Sequence, residues 1–273
     1  MAVGDALTAA ELDAAAPWLQ PYRELLARLR DRGSEPILGT LNALAQQRDV
    51  RNAAGIPIRF VDASLRRVDR YESSIAQCGE VPTRVAGSGT RHDLWNALVW
   101  LRFPRAKARL NEVHADAIDA DGVSGRRGPL RDAATLFDEN AVLWVARDRS
   151  LTDALRDHAW RRLFVERRAD AVRDVAVIAF GHALLDKLAA PYKALTAHAW
   201  IADDVAPGPA AVGADALDAL DAGIAKALAG AALSPRSFAP LPVLGLPGWC
   251  AANEDPTFYN DAAVFRGRRS RAG

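Results

Sequence analysis

Two histidines, each placed where a helix is predicted to begin, are the side chains best suited to chemistry in this sequence. His92 follows Thr90 in GTRHDLWNALVWLRF, and His182 follows the glycine of VAVIAFGHALLDK. The positive end of a helix dipole disfavours imidazolium, so we expect both rings to be neutral. A neutral imidazole can act as a base, accept a hydrogen bond or bind a metal ion. The alternative for each is a buried histidine bonded to a backbone carbonyl.

Acidic side chains that could complete such a site occur in the segment RDAATLFDEN. Asp132 and Glu139 are seven residues apart and therefore share one face of the helix that Pro129 begins. Asp132 can equally be a first-turn acid that only interacts with the helix dipole. The chemistry of two histidines and a carboxylate is acid–base catalysis or hydrolysis assisted by a divalent metal ion, although any chain with five histidines offers such a set. The candidate catalytic residues are His92, His182, Asp132 and Glu139.

Polar side chains near these residues could hold an anionic small-molecule substrate. Guanidinium groups stabilise the negative charge that develops during hydrolysis. Asn96 lies one turn after His92 on the same helix face, and Asp186, one turn after His182, could orient that ring or bind the same metal ion. The candidate substrate-binding residues at this point are Arg84, Asn96, Arg127 and Arg131.

Clusters of arginine support an alternative function, a non-catalytic binding module for RNA or an acidic protein partner. Arginines concentrate in residues 156–168, in the Arg126–Arg127 turn and in the ending RGRRSRAG, and Trp95, Trp160 or Trp249 could stack on bases. Because acids are interspersed, the same arginines also fit an ordinary solvated surface. A third hypothesis is a structural protein whose C-terminal part docks another subunit. The sequence does not indicate the oligomeric state.

Composition narrows the class of protein. Half of the 273 residues are hydrophobic, a quarter are charged and the net charge is +1, so bulk charge gives no argument for nucleic-acid or membrane binding. No basic segment with an apolar core begins the chain, and the apolar run 175–185 is too short to cross a bilayer. Cys78 and Cys250 form no CxxC motif, which suits a reducing compartment. We therefore expect a cytoplasmic protein that does not enter a membrane.

The elements that must position the candidate residues are mainly helices. Apolar residues at helical spacing predict, besides the helix after Thr90, helices over 18–32, 36–47, 71–77, 105–119, 129–138, 151–168, 182–189 and 214–230. Short apolar runs predict strands at 58–61, 141–146 and 175–180, with 198–202 as a third strand of the main sheet if it forms. We expect EVPTRVAGSG to be a loop, and the part after Ser234 to wrap the surface without regular elements.

These elements predict an α+β fold, a mostly α-helical single domain with a small central β-sheet. Thr90 and Asp93 are expected to form the capping box of the helix that carries His92. We divide the chain into a helical N-terminal part, a core domain and a basic disordered tail, at residues 1–55, 56–266 and 267–273.

Several long stretches resemble one known family. VPTR (81–84), HDLWNALVWLRFPRAKARLN (92–111), RDAATLFDEN (131–140), FGHALLDK (180–187), PYKALTAHA (191–199) and PLPVLGLPGW (240–249) are similar to the bacterial domain-of-unknown-function family 3025, over roughly residues 60–266. The family is defined without an activity, so the resemblance implies no mechanism. It adds Lys107, Lys187 and Tyr192 to the candidate substrate-binding residues, because the family has polar residues there. Asp186 stands where the family is expected to have glutamate, and its shorter side chain reaches less far.

Overall fold

The computed structural model describes Leu7 and residues 15–65, 71–121, 128–202, 214–230 and 233–268. The chain is a mostly α-helical α+β domain with small sheets, as the sequence predicts. Its helices are α1 (Arg23–Arg30), α2 (Ile37–Gln47), α3 (Tyr71–Cys78), α4 (Thr90–Arg102), α5 (Pro104–Asp121), α6 (Pro129–Asn140), α7 (Arg149–Arg156), α8 (Arg168–Asp174), α9 (His182–Lys187) and α10 (Ala214–Gly230). Its strands are β1 (Arg59–Asp62), β2 (Glu80–Thr83), β3 (Ala141–Ala146), β4 (Val175–Ala179), β5 (Thr196–Ile201) and β6 (Phe238–Pro242).

The main sheet has four strands in the order β4–β3–β5–β6. β3 pairs antiparallel with β4 and parallel with β5, and β5 pairs antiparallel with β6. All six residues of β3 are buried, which explains why AVLWVA is a continuous apolar run rather than an alternating one. β1 and β2 form a separate parallel pair. The sheet therefore carries β3 and β4 side by side, and the chain leaves β4 next to the end of α6.

The N-terminal helices pack on this framework. Leu25, Leu26 and Leu41 are buried in the same core as the sheet. The Tyr22 hydroxyl donates a hydrogen bond to the carbonyl of Ala179 at 2.8 Å, at the end of β4. Among the described helices, none combines the length and the apolar character needed to cross a bilayer. The tail predicted to be disordered lies, from residue 269 onward, outside the described residues.

Two segments predicted to lack strands contain one each. The segment predicted as a loop at 80–89 begins with β2, which is buried along its whole length against β1. The C-terminal part supplies β6, and Leu241 and Phe265 are buried, so it belongs to the core rather than wrapping the surface. Prolines at 240 and 242 hide this strand in the sequence, and they are tolerated because β6 is at the edge of the sheet.

The single helix predicted over 151–168 is also wrong in detail. α7 ends at Arg156, and His158 then has a φ of 53°, a left-handed conformation that a helix cannot continue through. A π-helical turn at Arg162–Glu166 precedes α8. Leu155, Trp160, Leu163 and Phe164 of this segment are all buried.

α4 is the most buried helix near the candidate site. Every residue from Leu94 to Arg102 is buried, and Pro104 begins α5 at its first position. The capping box predicted for Thr90 and Asp93 is wrong. The N-cap is Gly89, with a φ of 87°, and the Thr90 hydroxyl donates to the carbonyl of Gly87 at 2.8 Å. Asp93 instead accepts hydrogen bonds from the guanidinium and from the backbone N–H of Arg84.

Candidate functional site

Three helices bring two imidazoles and a carboxylate to one cavity of about 320 Å³, called the histidine cavity below. His92 lies in the first turn of α4, Glu139 in the last turn of α6, and His182 begins α9. The two ring centroids are 4.5 Å apart and the ring planes meet at 69°. Both imidazoles therefore line one cavity. Donor atoms of the three side chains all lie within 4.8 Å of one another.

A glycine makes this convergence possible. The backbone N–H of Gly181 donates to the carbonyl of Ala141 at 2.8 Å, so the turn from β4 to α9 lies directly against the junction of α6 and β3. A Cβ at position 181 would be 2.5 Å from Asn140 N and from the carbonyl oxygen of Glu139. The φ of Gly181 is an ordinary −60°, so the close approach of two backbones, rather than conformation, requires glycine. The same approach brings His182 to Glu139.

His182 is buried between two carboxylates. Its Nε2 is 3.5 Å from Glu139 Oε2, and its Nδ1 is 3.8 Å from Asp138 Oδ2. Nδ1 is fully buried and makes no hydrogen bond of standard geometry among the described residues, although the Asp138 backbone lies near enough to raise the pKa of the ring. Burial lowers the pKa of His182 to about 4, so the ring is neutral near pH 7. The neutral state that was predicted from the helix dipole therefore follows from the burial of the ring.

Asp138 is held ionised by a buried lysine. Lys107 is 4% exposed and forms an ion pair with Asp138, and its Nζ also donates to Asn96 Oδ1 at 2.8 Å. Burial would raise the pKa of Asp138, but Lys107 and the nearby His182 ring lower it to about 2. The pKa of Glu139 is raised, first by burial and then by the neighbouring Asp138. The charge of Lys107 is thus paired with Asp138, and Lys107 is not free to bind a substrate.

Arg84 lines the histidine cavity but is already paired. Its Nε and Nη2 each donate to a carboxylate oxygen of Asp93 at 2.7 Å, and its backbone N–H donates to the same group at 2.8 Å. The guanidinium lies over Gly89, where a Cβ would collide with it. Arg84 was expected to hold an anionic substrate, but its charge is already paired with that of Asp93 in a bidentate contact.

Several predicted residues do not line the histidine cavity. Asp132 is exposed in the first turn of α6, about two turns from Glu139, and Arg131 lies beside it. Tyr192 is 56% exposed, after α9. Arg127 lies outside the described residues.

The end of α9 also differs from expectation. Asp186, predicted to orient His182 or bind the same ion, instead forms an ion pair with Arg91. Lys187 is exposed and does not line the cavity, although its charge contributes to lowering the pKa of Glu139 against the effect of burial. Asn96 does line the cavity, one turn after His92.

Sequence reasoning missed Tyr71 and Asp138 as neighbours of the two histidines. The Tyr71 oxygen accepts a hydrogen bond from Asn96 Nδ2 at 2.7 Å. Asp138 had a signal, because Lys107 and His114 share one face of α5, and a buried polar face requires polar partners. His114 is 7% exposed, and burial lowers its pKa. Tyr71 had no signal, since α3 reaches the cavity only through tertiary packing on α5.

The histidine cavity is rich in negative charge. The acids among its lining residues are Glu72, Asp93, Asp138 and Glu139, whereas its one lining cation within the described residues is Arg84. Lys107 adds a second cation behind the lining. Four carboxylates against two cations, beside two imidazoles, form a set of oxygen and nitrogen donors suited to a divalent cation.

Some of the groups needed by the RNA-binding alternative are occupied, although Arg156 and Arg162 are exposed. Trp95 and Trp160 are 0% and 5% exposed, so neither can stack on a base. Trp249 is half-buried, with its ring 5.5 Å from that of Trp18. In the arginine-rich part, Arg167 pairs with Asp148 at 2.6 Å, and Arg168 pairs with Glu254. Paired arginines and buried indoles resemble ordinary structural roles more than a nucleic-acid surface.

Comparison with protein families matches residues 58–269 to the family described as "protein of unknown function (DUF3025)". The chain belongs to this family. The DUF3025 match begins at β1 and includes every residue of the histidine cavity, whereas α1 and α2 precede it. No curated protein and no solved structure matches the chain. Membership of DUF3025 carries no activity with it, so a function must be argued from the site.

Proposed function

We propose that this DUF3025 protein is a hydrolase that uses one divalent metal ion bound by His92, Glu139 and His182. The observation that carries the proposal is the convergence of their donor atoms, all within 4.8 Å of one another. Two ligand atoms held at about 2.1 Å by a tetrahedral ion lie about 3.4 Å apart. His182 Nε2 and Glu139 Oε2 are 3.5 Å apart, which fits that spacing without rearrangement. Three protein ligands beside a cavity leave a coordination position for water or substrate, as catalytic sites require.

The surroundings of His182 support this reading. A histidine that binds a metal through one ring nitrogen usually donates its other N–H to a carboxylate, which orients the ring. With Nε2 directed at Glu139, Nδ1 faces Asp138 Oδ2 at 3.8 Å, so a small rotation closes that hydrogen bond. Lys107 keeps Asp138 ionised and therefore able to accept. The metal site accounts for a buried nitrogen that otherwise makes no hydrogen bond of standard geometry among the described residues.

The charge of the cavity supports a cation as the first ligand and an anionic small molecule as the second. A bound divalent ion would offset the excess of carboxylates, and it would polarise the substrate and lower the pKa of a bound water. Because Arg84 and Lys107 are already paired, the anionic group of the substrate would bind at the ion rather than at these side chains. Acid–base catalysis without metal needs one base and one acid, and it leaves the three-donor convergence unexplained.

We also propose a cytoplasmic location. Cys78 and Cys250 are both free thiols, and Cys78 is exposed, which suits a reducing compartment.

The test is hydrolysis by protein stripped with a chelator and reloaded with zinc, manganese or cobalt. Model substrates are p-nitrophenyl phosphate, bis(p-nitrophenyl) phosphate and p-nitrophenyl acetate. We expect metal-dependent hydrolysis that falls by at least about 100-fold in His182→Ala and Glu139→Gln, because each loses a ligand. His158→Asn is the control, since His158 packs on Trp160 away from the cavity and asparagine tolerates its positive φ.

Three results would overturn the proposal. Equal activity in His182→Ala and in the wild type would place hydrolysis elsewhere. Tight, stoichiometric metal binding without hydrolysis of any of the three substrates would reject the reaction class. Selective binding of iron(II) with consumption of oxygen would replace hydrolysis by oxidation, a chemistry that two histidines and one carboxylate also support.

A further inference from the structure

A chain of hydrogen bonds with a fixed direction ends at the histidine cavity. Lys107 can only donate, so its 2.8 Å contact with Asn96 Oδ1 identifies which side of that amide is oxygen. Asn96 must then donate from Nδ2 to the Tyr71 oxygen, 2.7 Å away. Tyr71 is therefore the acceptor in this bond. Its own O–H hydrogen remains available for a different acceptor.

This chain of hydrogen bonds is buried. Burial fixes the geometry of the bonds and strengthens the last donor, the O–H group of Tyr71. Lys107 and Asn96 are 4% and 6% exposed, so neither side chain exchanges these bonds freely with water. In a poorly solvated site each hydrogen bond polarises the next, and here a positive charge stands at the far end. Tyr71 lines the cavity together with His92, Glu139 and His182. Among the described residues no acceptor lies within hydrogen-bonding distance of its hydrogen, so the hydroxyl can donate into the cavity.

We propose that Tyr71 binds the substrate oxygen beside the scissile bond, donating its O–H to the carbonyl or phosphoryl oxygen that becomes negatively charged. This inference rests on the proposed function above and adds the substrate class, an ester, amide or phosphate ester with such an oxygen. A neutral donor fixed before the reaction stabilises a developing oxyanion without reorganising. Burial raises the pKa of Tyr71 above the usual range, so the phenol keeps its proton near neutral pH.

The test separates binding of the ion from binding of the oxygen. Zinc-loaded wild type, Tyr71→Phe and Tyr192→Phe are titrated calorimetrically with inorganic phosphate, and the zinc content of each sample is measured. Tyr192 is the matched control because it is 56% exposed and does not line the cavity. We expect equal zinc content in all three proteins. The Kd for phosphate should rise about 10-fold in Tyr71→Phe, the effect of one lost hydrogen bond to a charged group, and stay unchanged in Tyr192→Phe.

Each other result has a definite meaning. Unchanged phosphate affinity in fully zinc-loaded Tyr71→Phe overturns the inference and leaves the metal site standing. The same holds if the wild type binds zinc but not phosphate. Failure of the wild type to bind zinc, manganese or cobalt rejects the proposed function and this inference with it. Thermal unfolding of both variants checks that the ring substitution has not altered the fold.

Discussion

The two ends of α4 open onto polar cavities that differ in how their charges are satisfied. The C-terminal end borders a cavity of about 620 Å³, nearly twice the volume of the histidine cavity. We call it the arginine cavity, and its charged lining residues are Arg48, Asp49, Arg51, Arg102, Arg105, Asp218 and Asp221. His92 and Arg102 are ten residues apart on α4, so the cavities are separated by about 15 Å along the helix.

In the arginine cavity, the charges hold elements together. Arg102 is 3% exposed and forms an ion pair with Asp218 of α10, which matches its charge. Its Nε atom has no hydrogen-bond partner among the described residues. Asp221 accepts hydrogen bonds from the backbone N–H groups of Arg105 and Ala106, at 3.0 and 2.8 Å. It therefore caps α5 from another helix, and this arrangement docks α10 onto α5.

Volume is therefore a poor guide to chemistry in this molecule. The smaller cavity holds two adjacent imidazoles, a carboxylate with a raised pKa and a hydroxyl hydrogen without an acceptor among the described residues. Polar groups of this kind destabilise a fold when they are removed from water without a partner, unless a ligand binds to them. The larger cavity holds ion pairs and a helix cap, which stabilise the fold. Three substitutions test this contrast through the free energy of unfolding.

The largest effect is expected where the backbone forms the histidine cavity. Gly181→Ala places a Cβ 2.5 Å from two backbone atoms of Glu139 and Asn140, which cannot move without disturbing β3. We expect a loss of about 4 kcal/mol in the free energy of unfolding, measured by urea denaturation, together with loss of metal binding. Gly267→Ala is the control, since a Cβ there meets nothing within 4 Å. Equal stability of the two variants would contradict the account of the turn before α9.

A somewhat smaller loss is expected at the buried lysine. Lys107→Met removes a cation that is 5% exposed and leaves Asp138, whose side chain is 21% exposed, without its partner. Breaking a buried ion pair from one side costs about 3 kcal/mol, because the remaining charge is uncompensated. Lys193→Met is matched to it: the Lys193–Asp261 pair at 3.1 Å has side chains 37% and 35% exposed, and its loss should cost less than about 1 kcal/mol. If chemical denaturation gives both variants the same stability, Lys107 is not the charge that holds Asp138.

The smallest effect is a pH dependence in the arginine cavity. Burial raises the pKa of Asp221 from 3.8 to about 6, against the lowering by the backbone N–H groups of Ala106 and Arg105 and by the charges of Arg105 and Arg102. The folded protein thus binds a proton that the unfolded chain has released between these values, so this group's contribution to stability is complete below about pH 4 and falls as the pH rises to about 6.

Asp221→Asn removes that titration. The free energy of unfolding of the wild type, minus that of Asp221→Asn, should fall by about 2 kcal/mol between pH 4 and 6.5. Urea denaturation at several pH values measures it. A difference that stays constant, or that rises with pH, would show that the helix cap favours the ionised carboxylate throughout.

The sequence predicts most elements of the fold because their patterns are unambiguous. AVLWVA is too short and too apolar for anything but a buried strand, and β3 occupies those six residues. β6 escapes prediction because two prolines interrupt its pattern, and only its pairing with β5 makes it a strand. The break after α7 likewise depends on the positive φ of His158, which no local residue preference demands.

The candidate site is predictable only in part, for a related reason. Helix starts mark His92 and His182 in the sequence, and the two rings do meet. Asp132 and Glu139 share a helix face and cannot be distinguished by spacing. The contact of Gly181 with the end of α6 selects Glu139, and that contact belongs to the tertiary structure.

The proposed site depends above all on the binding of a metal ion by His92, Glu139 and His182. The zinc, manganese and cobalt stoichiometries of the wild type, His92→Ala, Glu139→Gln and Asp221→Asn are measured by elemental analysis after equilibrium dialysis. We predict one ion per chain in the wild type and in Asp221→Asn, whose substitution lies in the arginine cavity, and loss of the ion in the other two. A wild type that retains none of the three metals, or a His92→Ala variant that retains a full equivalent, would contradict the account.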